Sequence, residues 1–318
     1  MTLLGRTLIG LCFLRSTACS RQKTEPMSTI SSAPQRPQSS SQSRVGALVR
    51  VRQPAVAGSF YPSDPKVLGT TIDGLLAQAK SRNLKGLRAL VSPHAGYQYS
   101  GPVAASGFKQ LAGLAFERVV IMAPSHHVLF AGVAVPDVDV LRTPLGDIAV
   151  SSWARELGRE NPWSSDHSSA SFIIDSAPHA REHALEVQLP FLQRVLKHFE
   201  VVPLVFGEVD EQLVARKVSA GLDSRTLVIA SSDLSHYHPY EKAAMLDSAT
   251  VQAILRLDVA ALTQREACGR SPIIALVHIA RERGWKTELL DARNSGDTAG
   301  DRSRVVGYAS IAFLEGAQ

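Results

Sequence analysis

The chain has 318 residues, with 34 Lys and Arg against 29 Asp and Glu and three cysteines. The charge excess is local: residues 1–52 hold eight basic side chains and one acid, Glu25, so residues 53–318 carry 26 basic against 28 acidic side chains. A near-neutral body gives no footprint for nucleic acid, and no apolar run reaches the roughly 20 residues that cross a bilayer, so neither is an expected partner.

From Ser28 to Ser43 the leader is rich in Ser, Gln and Pro without periodicity, a composition that predicts disorder. Thr2 to Leu14 is apolar, but Arg6 and Arg15 leave only Thr7 to Leu14 unbroken. The leader therefore reads as a signal-like stretch, a lipoprotein-type cleavage site at Ser16-Thr17-Ala18-Cys19, an organellar transit peptide, or an upstream misassigned start with Met27 as the first residue. The expected organisation is a disordered basic leader over 1–52 and one α/β domain over 53–318. Cys12 and Cys19 fall in the leader, which leaves Cys268 without an intrachain disulfide partner. That suits a reducing compartment, the cytoplasm, or an organelle if the leader is a transit peptide.

The body opens with QPAVAGSFYP (Gln53 to Pro62), whose Phe60 lines a cleft or packs and whose Tyr61 packs in the core. Ser63-Asp64-Pro65 caps a helix to about Lys80, with Leu68, Ile72, Leu75, Leu76 and Ala79 on one stripe. Leu87 to Val91 has the apolar density of a buried strand, ended by Ser92-Pro93 and followed by His94. Tyr97 to Gly101 reads as a loop, Pro102 to Leu114 as a helix and Arg118 to Met122 as a second strand. Strand, helix, strand over about thirty residues is a βαβ unit, which predicts that the two strands are parallel neighbours. The second strand ends Ala123-Pro124-Ser125-His126-His127, so the design of strand, proline, histidine is repeated.

Gly132 to Val140 and Asp147 to Ser151 predict short strands of an appended hairpin, with a helix near Trp153 to Glu160. Glu182 to Phe199 reads as a helix kinked at Pro190, with His183 and Glu186 on one face. Strands follow at Val201 to Phe206 and Thr226 to Ala230, the latter ending Ser231-Ser232-Asp233-Leu234-Ser235-His236. Helices are expected at Glu211 to Leu222, Tyr240 to Leu257 and Ser271 to Arg283, with last strands at Lys286 to Asp291 and Val305 to Phe313. The pattern is that of a central mixed, mostly parallel sheet sandwiched between helices.

Ligands in open α/β sheets bind beyond the carboxyl ends of the strands. His94, His126 and His236 each follow a buried strand of one sheet and are expected to converge there. His127 is read as a rim residue. His183 and Glu186 form either a surface pair or a carboxylate-histidine relay behind a metal ligand, while His167, His179, His198, His238 and His278 are read as structural or surface residues. Cys268 precedes a helix, where the dipole lowers a thiol pKa, and is either a small buried hydrophobe, a metal ligand or a nucleophile. The sequence holds no P-loop, HExxH or GxSxG pattern. A serine hydrolase built on Ser231, Ser232, Asp233 and His236 lacks the glycines of a nucleophile elbow.

The stretches PAVAGSFYP, SPHAGYQYSG, APSHH, RTPLGD, EHALEVQLPFLQ, SSDLSHY, CGRSPI and NSGDTAGDRSRVVGYA together resemble the Memo family from about Gln53 to Phe313. Bacterial and archaeal members of that family are called AmmeMemoRadiSam system protein B. The resemblance implies a fold similar to class III extradiol dioxygenases and a metal held by His94, His126 and Cys268, with Fe as the first candidate and Cu or Zn as others. It implies that His236 matches the acid/base histidine of the dioxygenases; by their positions, Asp233, His183, Glu186 and His127 are expected around the ligands. A cysteine stands where dioxygenases have a carboxylate, which shifts metal preference toward Fe, Zn or Cu(I). The animal relatives also resemble phosphotyrosine-peptide binders through the same pocket, for which the equivalents here are Phe60 and Tyr99; Phe60 stands where the animal proteins have tryptophan. Two classes of function follow: a metal-dependent, dioxygenase-like oxidoreductase on a small aromatic or redox substrate, or a non-catalytic metal-containing module that docks a peptide or a partner protein. Other AmmeMemoRadiSam system proteins are the partners the resemblance suggests.

Overall fold

A computed structural model describes residues 48–159 and 172–316. The leader to residue 47, His167 and the expected helix end at Glu160 lie outside the described residues. In chain order the strands are Val51–Arg52 (β1), Leu87–Ser92 (β2), Arg118–Pro124 (β3), Val133–Val135 (β4), Val140–Thr143 (β5), Gly146–Ala149 (β6), Phe172–Ile174 (β7), Glu200–Phe206 (β8), Thr226–Ser231 (β9), His236–His238 (β10), Lys286–Asn294 (β11) and Val305–Leu314 (β12). The helices are Pro65–Gln78 (α1), Tyr97–Phe108 (α2), Ser152–Arg159 (α3), Ala177–Ala180 (α4), Leu189–Val195 (α5), Glu211–Ala220 (α6), Tyr240–Leu255 (α7), Val259–Leu262 (α8), Arg270–Arg283 (α9) and Ser295–Thr298 (α10). Among the described residues no helix is long and apolar enough to cross a membrane.

The main sheet runs β10-β12-β2-β9-β3-β8-β4-β7, with β11 on the other edge of β12. Its centre, β2-β9-β3-β8, is parallel, and β4 and β12 run antiparallel against it. Every residue of β9 (TLVIAS) is buried, which requires cover on both faces and explains the continuous apolar runs. The helices supply that cover, α2 against β2, β11 and β12 and α9 against β3 and β9. The fold is thus a mixed α/β layered structure, as its sequence predicts. The hairpin expected between 132–140 and 147–151 is redrawn: β4 pairs with β8 and β7 in the main sheet, and the hairpin that forms is β5–β6, which joins β1 in a separate three-stranded sheet.

Several boundaries differ from expectation for identifiable reasons. Strands β2 and β3 are not neighbours, because β9 is inserted between them with parallel registers to both. The first helix after His94 starts at Tyr97 rather than Pro102: the Tyr97 N–H donates to the Phe60 carbonyl and the Ser100 hydroxyl caps the Ala95 carbonyl, so Pro102 lies inside the helix. The expected helix from Glu182 begins only at Leu189, with Pro190 in its first turn, where its missing N–H is not needed. Before it the chain is a short α4, an irregular stretch and one 3-10 turn at Glu186–Gln188.

That irregular stretch is held by a buried ion pair from a residue that the sequence boundary assigned to the leader. Arg52 donates to Glu186 Oε2 (2.5 Å), to the His179 carbonyl (2.9 Å) and to the Glu182 carbonyl (2.6 Å). Glu186 also accepts from the backbone of Ala55 and Val56 and from the Tyr61 hydroxyl, so the opening segment is pinned to the strand-end loops. The helix-face relay expected between Glu186 and His183 does not form, because the Glu186 carboxylate is fully engaged on this other side.

Removing one partner of a buried, hydrogen-bonded pair strands the other charge. Arg52→Met is expected to cost about 3–5 kcal/mol in urea denaturation, whereas Arg142→Met, which breaks the exposed pair with Asp147, changes stability by less than about 1 kcal/mol. The buried His179 donates Nε2–H to the Ala134 carbonyl, and burial pushes its pKa down to about 4. The unfolded ring protonates near 6.5, so this contribution is complete above that pH and is lost as pH falls toward 4, at up to about 1.4 kcal/mol per unit. A pH series of unfolding free energies should show a slope of this sign, to which other buried histidines add, and His179→Gln should reduce it by up to about 1.4 kcal/mol per unit.

Candidate metal centre

Proline ends β2 at Pro93 and the next residue, His94, is buried at the carboxyl end of the sheet. Its ring is fixed by β9. The Ser231 hydroxyl donates to the Ala184 carbonyl (2.6 Å) and its oxygen accepts from Gln188 Nε2 (2.8 Å). With its only proton committed, Ser231 Oγ receives the His94 Nδ1–H (2.8 Å), and Nε2 is left as the unprotonated nitrogen. The His94 backbone N–H donates to Asp233 Oδ1 (2.7 Å), so the residues after β9 hold both the backbone and the ring of His94.

His126 follows β3 and is fixed in a parallel way by Glu182, a buried carboxylate that accepts from the His126 backbone N–H (2.7 Å), from His126 Nδ1 (2.9 Å) and from the Ala184 N–H (2.8 Å). Burial alone raises the Glu182 carboxyl, but these donors prevail and hold it down to about 2. His126 Nε2 is thereby free. The two strands are separated by β9, yet the rings stand 5.3 Å apart, centre to centre, because both loops lean over the end of β9.

Cys268 arrives from across the sheet, clasped to the same turn. Its backbone N–H donates to the Asp233 carbonyl (3.3 Å), its sulfur accepts the Asp233 N–H (3.3 Å), and the Gly269 N–H donates to Ser232 Oγ (2.9 Å). Only glycine fits at 269, since a Cβ there would lie 2.2 Å from the Ser231 carbonyl oxygen and 2.6 Å from Ser232 Cβ. Cys268 Sγ then rests 3.2 Å from His94 Nε2. The ligand atoms of His94, His126 and Cys268 all lie within 4.8 Å of one another. Metal bonds of roughly 2.0–2.1 Å to nitrogen and 2.3 Å to sulfur put neighbouring donors roughly 3–3.6 Å apart, so these residues fit a shared ion.

The expected lowering of the thiol pKa by the helix start is overturned. Burial and the adjacent Asp233 carboxylate push Cys268 up to about 12, outweighing the N–H groups of Asp233 and Gly269. Helix α9 starts two residues later, too far on to offset the loss of water. The thiol therefore keeps its proton unless a cation replaces it.

The histidines open onto a cavity of about 640 Å³ lined by Phe60, Tyr99, His183, His236, Tyr237 and Arg304 among others. His236 donates Nδ1–H to the Leu234 carbonyl (2.8 Å), so its Nε2 is an acceptor. His183 stacks on His126 (4.6 Å between centres), shares Glu182 Oε1 at 3.4 Å, and is pushed down to about 3 by burial and the neighbouring histidines. Burial raises Asp233 to about 6, against the pull of the His94 N–H. His127 is exposed, its ring 6.2 Å from that of His183, at the rim. Phe60 packs against His183 and Tyr99 is partly exposed at the mouth.

Three participants escaped the sequence reading. Glu182, not Glu186, is the carboxylate behind the histidines; its adjacency to His183 was the available signal, hidden by the helix assigned there. Ser231 and Ser232 orient ligands, and both hydroxyl protons go to carbonyls, which removes the serine-hydrolase alternative. The polar loop NSGDTAGDRSR, including α10, contributes Ser295, Ala299, Asp301 and Arg304 to the cavity wall.

Residues 52–312 match the family described as Memo-like protein. A MEMO1 family protein of Methanopyrus kandleri is 38% identical over 292 residues, covering 83% of this chain and 99% of the relative. Those of Methanococcoides burtonii (40% over 278 residues; 82% and 99% covered) and Aquifex aeolicus (35% over 279 residues; 84% and 100% covered) are similar along the same span.

The clasp at Gly269 makes a direct prediction. Gly269→Ala should cost about 1–3 kcal/mol in urea denaturation through overpacking against rigid backbone. Gly74→Ala, in α1 with no atom within 4 Å of the added Cβ, should instead stabilise by up to about 1 kcal/mol.

Proposed function

The chain belongs to the Memo family, and from that premise we propose that it is a metal-dependent redox protein or oxidoreductase. The ion, Fe first and Cu or Zn otherwise, sits on His94, His126 and Cys268, and the substrate is a small aromatic or redox-active molecule. The observation that carries this reading is the donor set: two imidazoles whose Nδ1–H groups are committed to Ser231 and Glu182, and one buried thiol, with all three donors within 4.8 Å. The buried His94 nitrogen beside a thiol that burial keeps protonated is poorly solvated as it stands, and a cation would satisfy both, with the more exposed His126 as third donor.

The bound ion supplies Lewis acidity and, for Fe or Cu, one-electron chemistry. The remaining work is done by the chain. Glu182 holds the His126 tautomer and increases its basicity, and Ser231 does the same for His94. His236, with Nδ1–H on a carbonyl, receives a proton from a substrate hydroxyl at Nε2 and returns it. Phe60 and Tyr99 give an aromatic substrate two flat walls and exclude water from it.

A second reading, a metal-containing module that docks a peptide without turnover, draws support from the breadth of the cavity and the 62% exposure of Tyr237 at its side. Two measurements separate the possibilities. Elemental analysis of protein loaded anaerobically with Fe(II) should find about one metal per chain in the wild type and little in Cys268→Ser or His94→Ala. Glu182→Gln should weaken metal binding by about 10–100-fold. If Cys268→Ser retains full occupancy, the third ligand is wrong and Asp233 is the carboxylate to test, since Glu186 is engaged by Arg52 and Tyr61. Oxygen uptake over a panel of catechols and related reductants should then be metal-dependent and fall by about 10²–10⁴-fold in His236→Gln with metal content unchanged. Absence of uptake with every substrate supports the docking module.

A further inference from the structure

His236 is carried on a loop that is braced from the face of β12 turned away from the histidine cavity. Val306 and Tyr308 line the cavity, so Gly307 between them faces the other way, toward Asp247 of α7. Gly307 holds the loop by two backbone bonds: its carbonyl accepts the Leu234 N–H (2.8 Å) and its N–H donates to the Ser235 carbonyl (2.9 Å). The third bond comes from a side chain. Asp247, buried and outside the cavity lining, accepts the Ser235 N–H at Oδ1 (2.9 Å). Its carboxylate has room only because residue 307 is glycine, since a Cβ there would fall within the carboxylate itself.

The peptide group between Leu234 and Ser235 is thereby held at both ends. Its N–H donates to Asp247, and its carbonyl accepts the His236 Nδ1–H (2.8 Å). These peptide atoms lie in one rigid plane, so a carboxylate at one end of the plane fixes the direction of the imidazole at the other. Two hydrogen bonds in series also polarise the shared peptide and strengthen each other. Burial makes Asp247 a costly acceptor, pushing its carboxyl up to about 6, and the charge-assisted bond to the peptide is what offsets that cost.

We propose that Asp247 is a positioning residue for His236, acting through the 234–235 peptide to keep the ring proton on Nδ1 and the bare Nε2 turned to the cavity. This rests on His236 as the proton acceptor of the proposed reaction, but its test needs no turnover, so absence of oxygen uptake does not decide it. Imidazole ¹H–¹⁵N correlation spectra of the full chain at mildly alkaline pH, with His236 assigned by His236→Gln, report which ring nitrogen carries the proton. Wild type is expected to show the Nδ1–H tautomer alone. Asp247→Leu should lose that signature and show both tautomers, while Asp247→Asn, which keeps an oxygen for the Ser235 N–H, should restore it. Gly307→Ala should reproduce Asp247→Leu by displacing the carboxylate. His179, whose Nε2–H goes to the Ala134 carbonyl and which shares none of these partners, should keep its tautomer in every variant, which separates a local effect from a folding defect. The proposal is overturned if Asp247→Leu keeps the wild-type tautomer, if Asp247→Asn behaves like Asp247→Leu, or if His179 changes together with His236.

Discussion

The turn Ser231-Ser232-Asp233, where β9 ends, is the constraint on which the candidate centre depends. Within three residues it takes the His94 Nδ1–H, the His94 backbone N–H, the Gly269 N–H and both backbone bonds to Cys268. Because β9 is a central strand, flanked on both sides by parallel partners, this turn leaves the sheet from a backbone that is hydrogen-bonded on both edges. Each hydrogen bond it makes converts that rigidity into a fixed direction for a donor atom. A side chain at 269 would separate the two halves of the clasp, so the glycine is a packing requirement and not a matter of chain flexibility.

The second support is electrostatic. Arg52, Glu186 and Tyr61 lock the opening segment onto the loop that carries Glu182 and His183. The two buried carboxylates have separate duties. Glu186 organises the backbone, and Glu182 orients His126 and sits beside His183. Buried imidazoles and a buried thiol are all held in their neutral forms, since burial lowers His94 and His183 and raises Cys268. The pocket floor therefore sets a neutral His94 and a neutral thiol beside His126, which is backed by the Glu182 carboxylate that three N–H donors keep ionised. Such a set accepts a cation without first breaking an internal ion pair.

The histidine cavity is defined by the way its polar groups are completed. In the histidine cavity the rings are oriented by partners within the chain, and the outward nitrogens are the ones left over. These nitrogens face the space, which is where chemistry with a ligand is available.

Much of this was legible in the residues. Apolar runs stopped by Pro93 and Pro124 announced strand ends bearing His94 and His126, because proline cannot extend a ladder, and the SSDLSH stretch announced a third. The α/β class followed from continuous rather than alternating apolar strands, which only a sheet covered on both faces requires. The family resemblance, and through it the pairing of Cys268 with those histidines, was also readable. Strand order was not: the insertion of β9 between β2 and β3 depends on which long-range pairing buries most surface, and local periodicity carries no record of it. Nor could helical spacing reveal that Glu186 turns toward Arg52 while Glu182 turns toward His126, since the stretch is irregular and its direction is set by partners more than fifty residues away. The thiol shows the same division. The sequence located Cys268 before a helix, but burial, a property of the assembled layers alone, overrode the helix dipole and decided its protonation.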